Sequence, residues 1–500
     1  MQNDIEEALT ILLAKNMKSD LVRDAAKALL VIDPTNEVAT RKLMRHFAAI
    51  GEVAASIRAY DSLYRILEEE FDVEPVQETI ELVAEIKLGQ EIKDSSATGQ
   101  EEVPQRIGLD RPTICIVPFQ SSSAPSVSNI SRSFFRDLLS ILIRFREWNV
   151  IEGDQRNLHS DYYVLSGIEG TSENGRPILE ILLKQAKTGK YLWSERREIT
   201  HKSWSINHSL IARRVAVAIN SNISTDRLVR RGDLTPHTQN AFDRWIHCQD
   251  LNAVWSPEAG LEIPKLLKAI IEDEPLFAPA HAELAANYNS RHIFFPGLRR
   301  RVDFREQALH HARIALEIDP LDTRSQRVMA WTHLMRNEHD HAEFHFRQAL
   351  DLNATNPFTL VSSAQGLAFC GKIDHAFELI EDASRLQSAF PKFLNGYLVG
   401  INFLNGRYKE SVVASRRAGN AISNLLGWEA SALWHLGNHV DASETARRMV
   451  DILRPTWIYP SGPTHDSLSE WFIDSFPIRN VEQRATLDQG FRAALADVAI

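Results

Sequence analysis

The chain has 500 residues, 44% of them apolar and 24% charged, and a formal net charge of −10. That length suits two to four domains of roughly 100–200 residues each in a globular protein. The acidic balance gives no electrostatic basis for nucleic-acid or anionic-membrane binding by the molecule as a whole. The longest apolar run, Leu138–Ile143, is far too short to span a bilayer, and the N-terminus lacks a secretory n-region and h-region. Cys115, Cys248 and Cys370 lie far apart and fit no metal spacing. Buried thiols in a reducing compartment, hence a cytoplasmic protein, are expected.

In chain order, residues 1–90 carry a helical pattern. Leu21, Ala25, Ala28, Leu29 and Ile32 form one stripe, broken by Asp33-Pro34. Ala39, Leu43, Phe47 and Ile50 form a second, with Gly51 as its C′ residue. Ile57, Tyr60, Leu63, Tyr64 and Leu67 form a third, and Pro75 opens a fourth with Ile80, Val83 and Ile86. Glu37, Leu43-Met44, Gly51, Tyr60, Leu67, Glu70, Val73 and Pro75 together resemble the bacterial transcriptional activator domain. Asp72 stands where that family usually has glycine, and Asp tolerates a left-handed turn better than most residues. The resemblance implies an all-helical module that follows a DNA-binding winged helix. Met1 begins almost at the module, with no Arg-, Asn- and Gln-rich helix before it. A regulator without its own DNA reader, or one missing an upstream segment, is expected.

Residues 91–110 are polar, with Ser, Gly and Pro, and read as a linker. Residues 111–223 change period. Thr113–Phe119 is a buried-strand run, and Phe134, Leu138, Leu139, Leu142 and Ile143 form an amphipathic helix. Trp148–Glu152, Tyr162–Ile168, Ile178–Lys184 and Tyr191–Arg196 complete a set of strands, and helix returns from about Ile206 to Ile219. This predicts an α/β domain. Val117-Pro118-Phe119, Tyr163–Gly167 and Thr188-Gly189 with Leu192-Trp193 resemble the TolB amino-terminal-like domain. That family's Phe-Ala-Asp-Gly is absent, and Ser131–Asp137 stands in its place. Residues 224–240 read as a second connector, with Arg227, Arg230 and Arg231 on a solvated face.

From residue 241 to 455 the chain repeats. Ala308, Ala342 and Ala376 stand 34 residues apart, as do Ala315, Ala349 and Ala383, and Ala330 and Ala364. Antiparallel helices pack closely only where Cβ atoms are small, so the period marks a helical hairpin. The pattern resembles the tetratricopeptide repeat, whose first helices line a concave groove. The register set by Pro320 then puts Arg324, Arg327, Trp331, Phe358, Gln365, Lys392 and Asn395 on that groove. Basic and aromatic residues together suit a protein or peptide partner with an acidic or carboxylate end. Residues 456–500, with Trp457, Trp471, Phe472 and Phe476, are expected to cap the last repeat.

Nothing in the sequence matches a nucleophile elbow, a Walker loop, a dinucleotide fingerprint or a zincin motif. His339, His341 and His345 are the best metal candidates, and His341 and His345 share a helix face, but an exposed helix face accounts for them. No catalytic, cofactor or metal residues are expected. The fold class predicted is mainly α with a central α/β domain: an N-terminal helical-hairpin domain, then a small α/β domain, then a C-terminal tetratricopeptide-like solenoid. The function predicted is an activator-like transcriptional regulator that acts through protein contacts and reaches DNA only through a partner or an upstream segment. The alternative is a signalling scaffold, or an adenylate-cyclase-associated regulator, that binds partners through its repeats.

Overall fold

The computed structural model describes residues 19–50, 52–71, 75–88, 111–118, 125–153, 160–172, 176–199, 201–231, 240–252, 254–299, 302–387, 390–419 and 422–500. The chain divides into two compact units, 1–108 and 109–500. The predicted linker 91–110, Gly51, Phe119 and the turn at Asp72 fall mostly or wholly outside the described residues.

The first unit holds four helices, α1 (Ser19–Ile32), α2 (Glu37–Ala49), α3 (Val53–Phe71) and α4 (Gln77–Leu88). Ala25, Ala26, Leu29, Ala39 and Leu43 form one core, and Met44, Leu82, Val83 and Ile86 a second. Asn36 caps α2 by accepting from the Ala39 N–H at 3.0 Å. Glu37 binds a distant helix start: its carboxylate accepts from the Val76 N–H at 3.0 Å and from the Thr79 hydroxyl at 2.7 Å. An acid at the N-terminus of α4 satisfies orphan donors and complements the helix dipole. Glu37 and Pro75 therefore belong to one device that fixes how α4 packs beside α2.

The second unit begins with a five-stranded sheet: β1 (Thr113–Pro118), β2 (Asn149–Glu152), β3 (Tyr162–Thr171), β4 (Pro177–Gln185) and β5 (Tyr191–Glu198). The order is β2-β1-β3-β4-β5. The β2, β1 and β3 strands are parallel, and β3 to β5 form an antiparallel meander. Alternation decides the faces. Ile114, Ile116, Val164, Ile181 and Leu183 pack under α5 (Pro125–Leu142) and α6 (His201–Arg231), while Cys115, Tyr163 and Leu165 form a smaller cluster on the other face. Gly189 turns the β4–β5 connection at φ +73°.

The connector expected at 224–240 is in fact helical as far as Arg231, and residues 232–239 lie outside the described set. Polar Ser221, Asn222, Ser224 and Thr225 suggested a connector, but Ile219, Ile223 and Arg227 continue one buried edge at four-residue spacing. Arg227 is not on a solvated face. It is 8% exposed, pairs with Asp161 at 2.9 Å and Asp243 at 3.1 Å, and lies over the rings of Tyr162 and Phe242. Arg230 pairs with Asp226 at 2.8 Å.

Helical hairpins follow. Their first helices are α7 (Ala241–Asn252), α9 (Ala278–Asn289), α12 (Thr323–Met335), α14 (Pro357–Phe369), α16 (Lys392–Leu404) and α18 (Leu425–His435). Their second helices are α8 (Pro257–Asp273), α11 (Val302–Ile318), α13 (His339–Asn353), α15 (Ile373–Leu386), α17 (Tyr408–Ala418) and α19 (His439–Leu453), and a short α10 (Arg291–Phe294) follows α9. All eight alanines of the 34-residue pattern are fully buried. Two more helices, α20 (His465–Asp474) and α21 (Val481–Leu495), end the chain.

The C-terminal segment does more than cover the last hairpin. Gly490 on α21 lies against Ser431 of α18, where any Cβ would collide. Phe472 of α20 fills the space a side chain at Gly427 would take. The segment also reaches far back along the array. The Trp471 Nε1–H donates to the His292 carbonyl at 2.9 Å, the Ile458 N–H to Pro296 at 2.9 Å, and the Arg479 N–H to Phe369 at 2.9 Å. Among the described residues no helix is long and apolar enough to cross a membrane.

Candidate binding cavity

The first helices of the hairpins present one side of their surface to a cavity of about 440 Å³. Five residues predicted for the groove line it: Arg324, Arg327, Trp331, Phe358 and Gln365. Lys392 and Asn395 do not. Lys392 is exposed, and the Asn395 amide turns back to the carbonyls of Phe390 and Pro391 at 3.3 and 3.2 Å. Phe393, Gly396 and Tyr397 stand on the wall instead. The cause is a one-residue change of interval. The α14 helix starts 34 residues after α12, but α16 starts 35 after α14, so Phe393 takes the place a strict period gives Lys392.

The wall has parts no repeat period could announce. The α/β domain supplies Glu147, Trp148 and Ile223, and the C-terminal segment supplies Phe476. Glu147 pairs with Arg324 at 2.7 Å, and Arg324 also lies 4.3 Å over the Trp245 ring. Arg146 pairs with Asp319 at 2.9 Å, fixing the same β2-side loop to the α11–α12 turn. Trp245, Glu283 and Asn424 also line the cavity, and the period misses them. The α10 insertion separates α9 from α12 by more than one repeat length, and Asn424 precedes α18.

The charges on the wall are unequally matched. Arg324 has Glu147. Glu283 accepts from Asn252 and Gln249; burial pushes its carboxyl up, while Arg324 and Arg327 pull it down. Arg327 has no carboxylate within ion-pair distance among the described residues. Its guanidinium lies 4.4 Å over Phe358 and makes one long contact, 3.5 Å, to the Ser362 hydroxyl, which also accepts from Trp331 Nε1–H at 2.9 Å. Burial draws the Arg327 pKa below its ordinary value. Three further polar atoms on the wall are buried without a partner: Trp245 Nε1, Asn289 Oδ1 and Asn424 Nδ2. Unpaired buried polar groups are costly, and they cluster where something else completes them.

The histidines of α13 do not converge as a set. His339 Nε2 contacts the Pro477 carbonyl at 3.0 Å, and His345 Nδ1 contacts Gln326 Oε1 at 2.8 Å. His345 is half-buried rather than on an exposed face. The rings of His341 and His345 both stack on His333, whose Nδ1 is 2.6 Å from Glu338. Ligand atoms of His333, Glu338 and His341 lie within 4.8 Å of one another. However, the His333 and His341 rings are tilted by only 27°, so their in-plane lone pairs run side by side rather than towards one point.

Burial, with His333 and His341 alongside, lowers the His345 pKa to about 4. Burial, with His281, His310 and Lys268 alongside, does the same to His311. Unfolded histidines titrate near ~6.5. Between that value and about 4 the unfolded chain takes up protons that the folded chain refuses. Stability from these two residues is therefore complete above the unfolded pKa and declines as pH falls towards the folded one. Thermal melts should show a falling midpoint on acidification over that window, and His311→Gln with His345→Gln should flatten the decline. An equal slope in the double variant would contradict the assignment.

Comparison with curated protein sequences gives no match. Among solved structures, the chain is similar to Pseudomonas aeruginosa PilF at 13% identity, covering 45% of this chain and 98% of that one, with a TM-score of 0.28. It is similar to the APC/C hetero-tetramer Cut9-Hcn1 at 10% identity, 97% and 96% coverage and a TM-score of 0.36. It is similar to yeast Tom70 at 10% identity, 99% and 92% coverage and a TM-score of 0.28. Superpositions this loose add nothing to what the hairpins themselves show. Residues 4–87, which take in α1 to α4, match the family profile of the bacterial transcriptional activator domain.

Proposed function

We propose that this chain is an activator-like regulator of transcription that works through protein contacts. The match of residues 4–87 to the bacterial transcriptional activator domain carries the reading. The hairpin array on the same chain supports it, because stacked hairpins build extended surfaces suited to binding. The groove residues open to a partner on this reading are Arg327, Trp331, Phe358 and Gln365. Arg324 is already engaged by Glu147.

Comparing transcripts of the native host with and without this protein tests the proposal. A defined set of transcripts should change, and removing residues 1–108 should reproduce the effect of removing the whole chain. An unchanged profile would refute transcriptional regulation and return the scaffold reading. DNA should be reached through another protein. Within 1–90 the basic residues are interspersed with Asp and Glu, without the basic footprint that specific readers present to phosphates. A mobility-shift assay of this chain against genomic fragments should show no competitor-resistant complex at physiological salt. A retained, fragment-specific complex would overturn that expectation.

A further inference from the structure

We infer that the cavity between the hairpins and the α/β domain is a receptor site for a small organic acid: one carboxylate on an apolar, aromatic or aliphatic body. The inference goes beyond transcriptional regulation and does not depend on it. Its volume, about 440 Å³, lies within the ~300–1,000 Å³ of small-molecule sites. Aromatic rings from several helices, Trp245, Trp331, Phe358 and Tyr397 among them, supply the apolar surface.

The polar groups on that surface specify the charge. Arg324 is neutralised by Glu147, and Glu283 is held by Asn252 and Gln249. Arg327 is left facing the cavity with its flat face on Phe358 and no acid to pair with. Two of the three orphaned polar atoms, Trp245 Nε1 and Asn424 Nδ2, are donors, and both residues are 2% exposed. A guanidinium with further N–H donors around an aromatic chamber is complementary to a carboxylate on an apolar body. A free acid fits better than a chain terminus. Trp148 and the Glu147–Arg324 and Arg146–Asp319 pairs occupy one side of the groove, where a longer peptide would continue.

The test titrates the full chain with 3-phenylpropionate, indole-3-acetate and octanoate, each beside its uncharged amide. Calorimetry measures affinity. Tryptophan fluorescence gives a second signal for the two acids without an indole. At least one acid should bind, with its amide about 10- to 100-fold weaker, the factor a charge-assisted hydrogen bond is worth. Arg327→Met should remove that preference while leaving the far-UV circular dichroism unchanged. Asn424→Asp, which sets a like charge beside the bound carboxylate, should weaken the acid more than the amide, and it decides the matter if the Arg327 variant does not fold. Failure of every acid to bind, equal binding of acid and amide, or a preference that survives the variants would overturn the site. Binding only by a peptide that ends in a free C-terminal phenylalanine would overturn the small-acid assignment in favour of a chain terminus. The titration needs no DNA and no transcription, so its failure leaves the regulatory reading to the transcript comparison.

Discussion

Replacing Ala349 with Arg should unfold the middle of the hairpin array. Ala349 is fully buried on α13, a helix packed against both α12 and α14. A guanidinium placed there has two costs. Its volume must be accommodated by shifting well-packed helices, and its charge leaves water without a partner. Together these cost on the order of 3–5 kcal/mol, or roughly 10 °C in melting midpoint for a unit of this kind. Val440→Arg, at a position 82% exposed on α19, is the matched control and should leave the midpoint where it was. Circular dichroism melts of the two variants beside the parent provide the measurement. Equal midpoints for all three would mean that the alanine period does not mark the helix contacts.

That prediction was already available in the sequence, and the reason is geometric. A contact that recurs every 34 residues must meet the same steric demand each time, so Ala308, Ala342 and Ala376 announce it together. The sheet was legible for a similar reason. Its strands are short apolar runs with period-two alternation, and their burial follows that alternation. The cavity was only half legible. Arg324, Trp331 and Phe358 belong to the period, whereas Glu147 comes from 177 residues before Arg324 and follows no pattern that includes it. The register of α16 slipped because one added residue in the preceding connection moved Phe393 to where Lys392 was expected. Polar residues misled most at 224–231. Composition there suits a connector, but Ile223 and Arg227 bury one edge of the helix, and that edge alone keeps it folded.

The same edge gives the second large effect. Arg227→Met should destabilise the junction between the α/β domain and the first hairpin by about 3–5 kcal/mol. Arg227 joins Asp161, at the start of β3, to Asp243 in the first turn of α7. Removing the cation leaves Asp243, with its side chain 10% exposed, as an uncompensated buried charge. Methionine keeps most of the aliphatic stem against Tyr162 and Phe242, so lost packing is the smaller term. Charge and packing can be separated with Asp243→Asn. If the penalty comes from the stranded carboxylate, the double variant should recover a large part of what Arg227→Met loses. If it comes from packing, the two losses should add. Urea unfolding of the parent, both single variants and the double variant closes the cycle. Simple additivity would mean that the Arg227–Asp243 pair contributes little, and that the continuous helix through residue 231 is held by Ile219 and Ile223 alone.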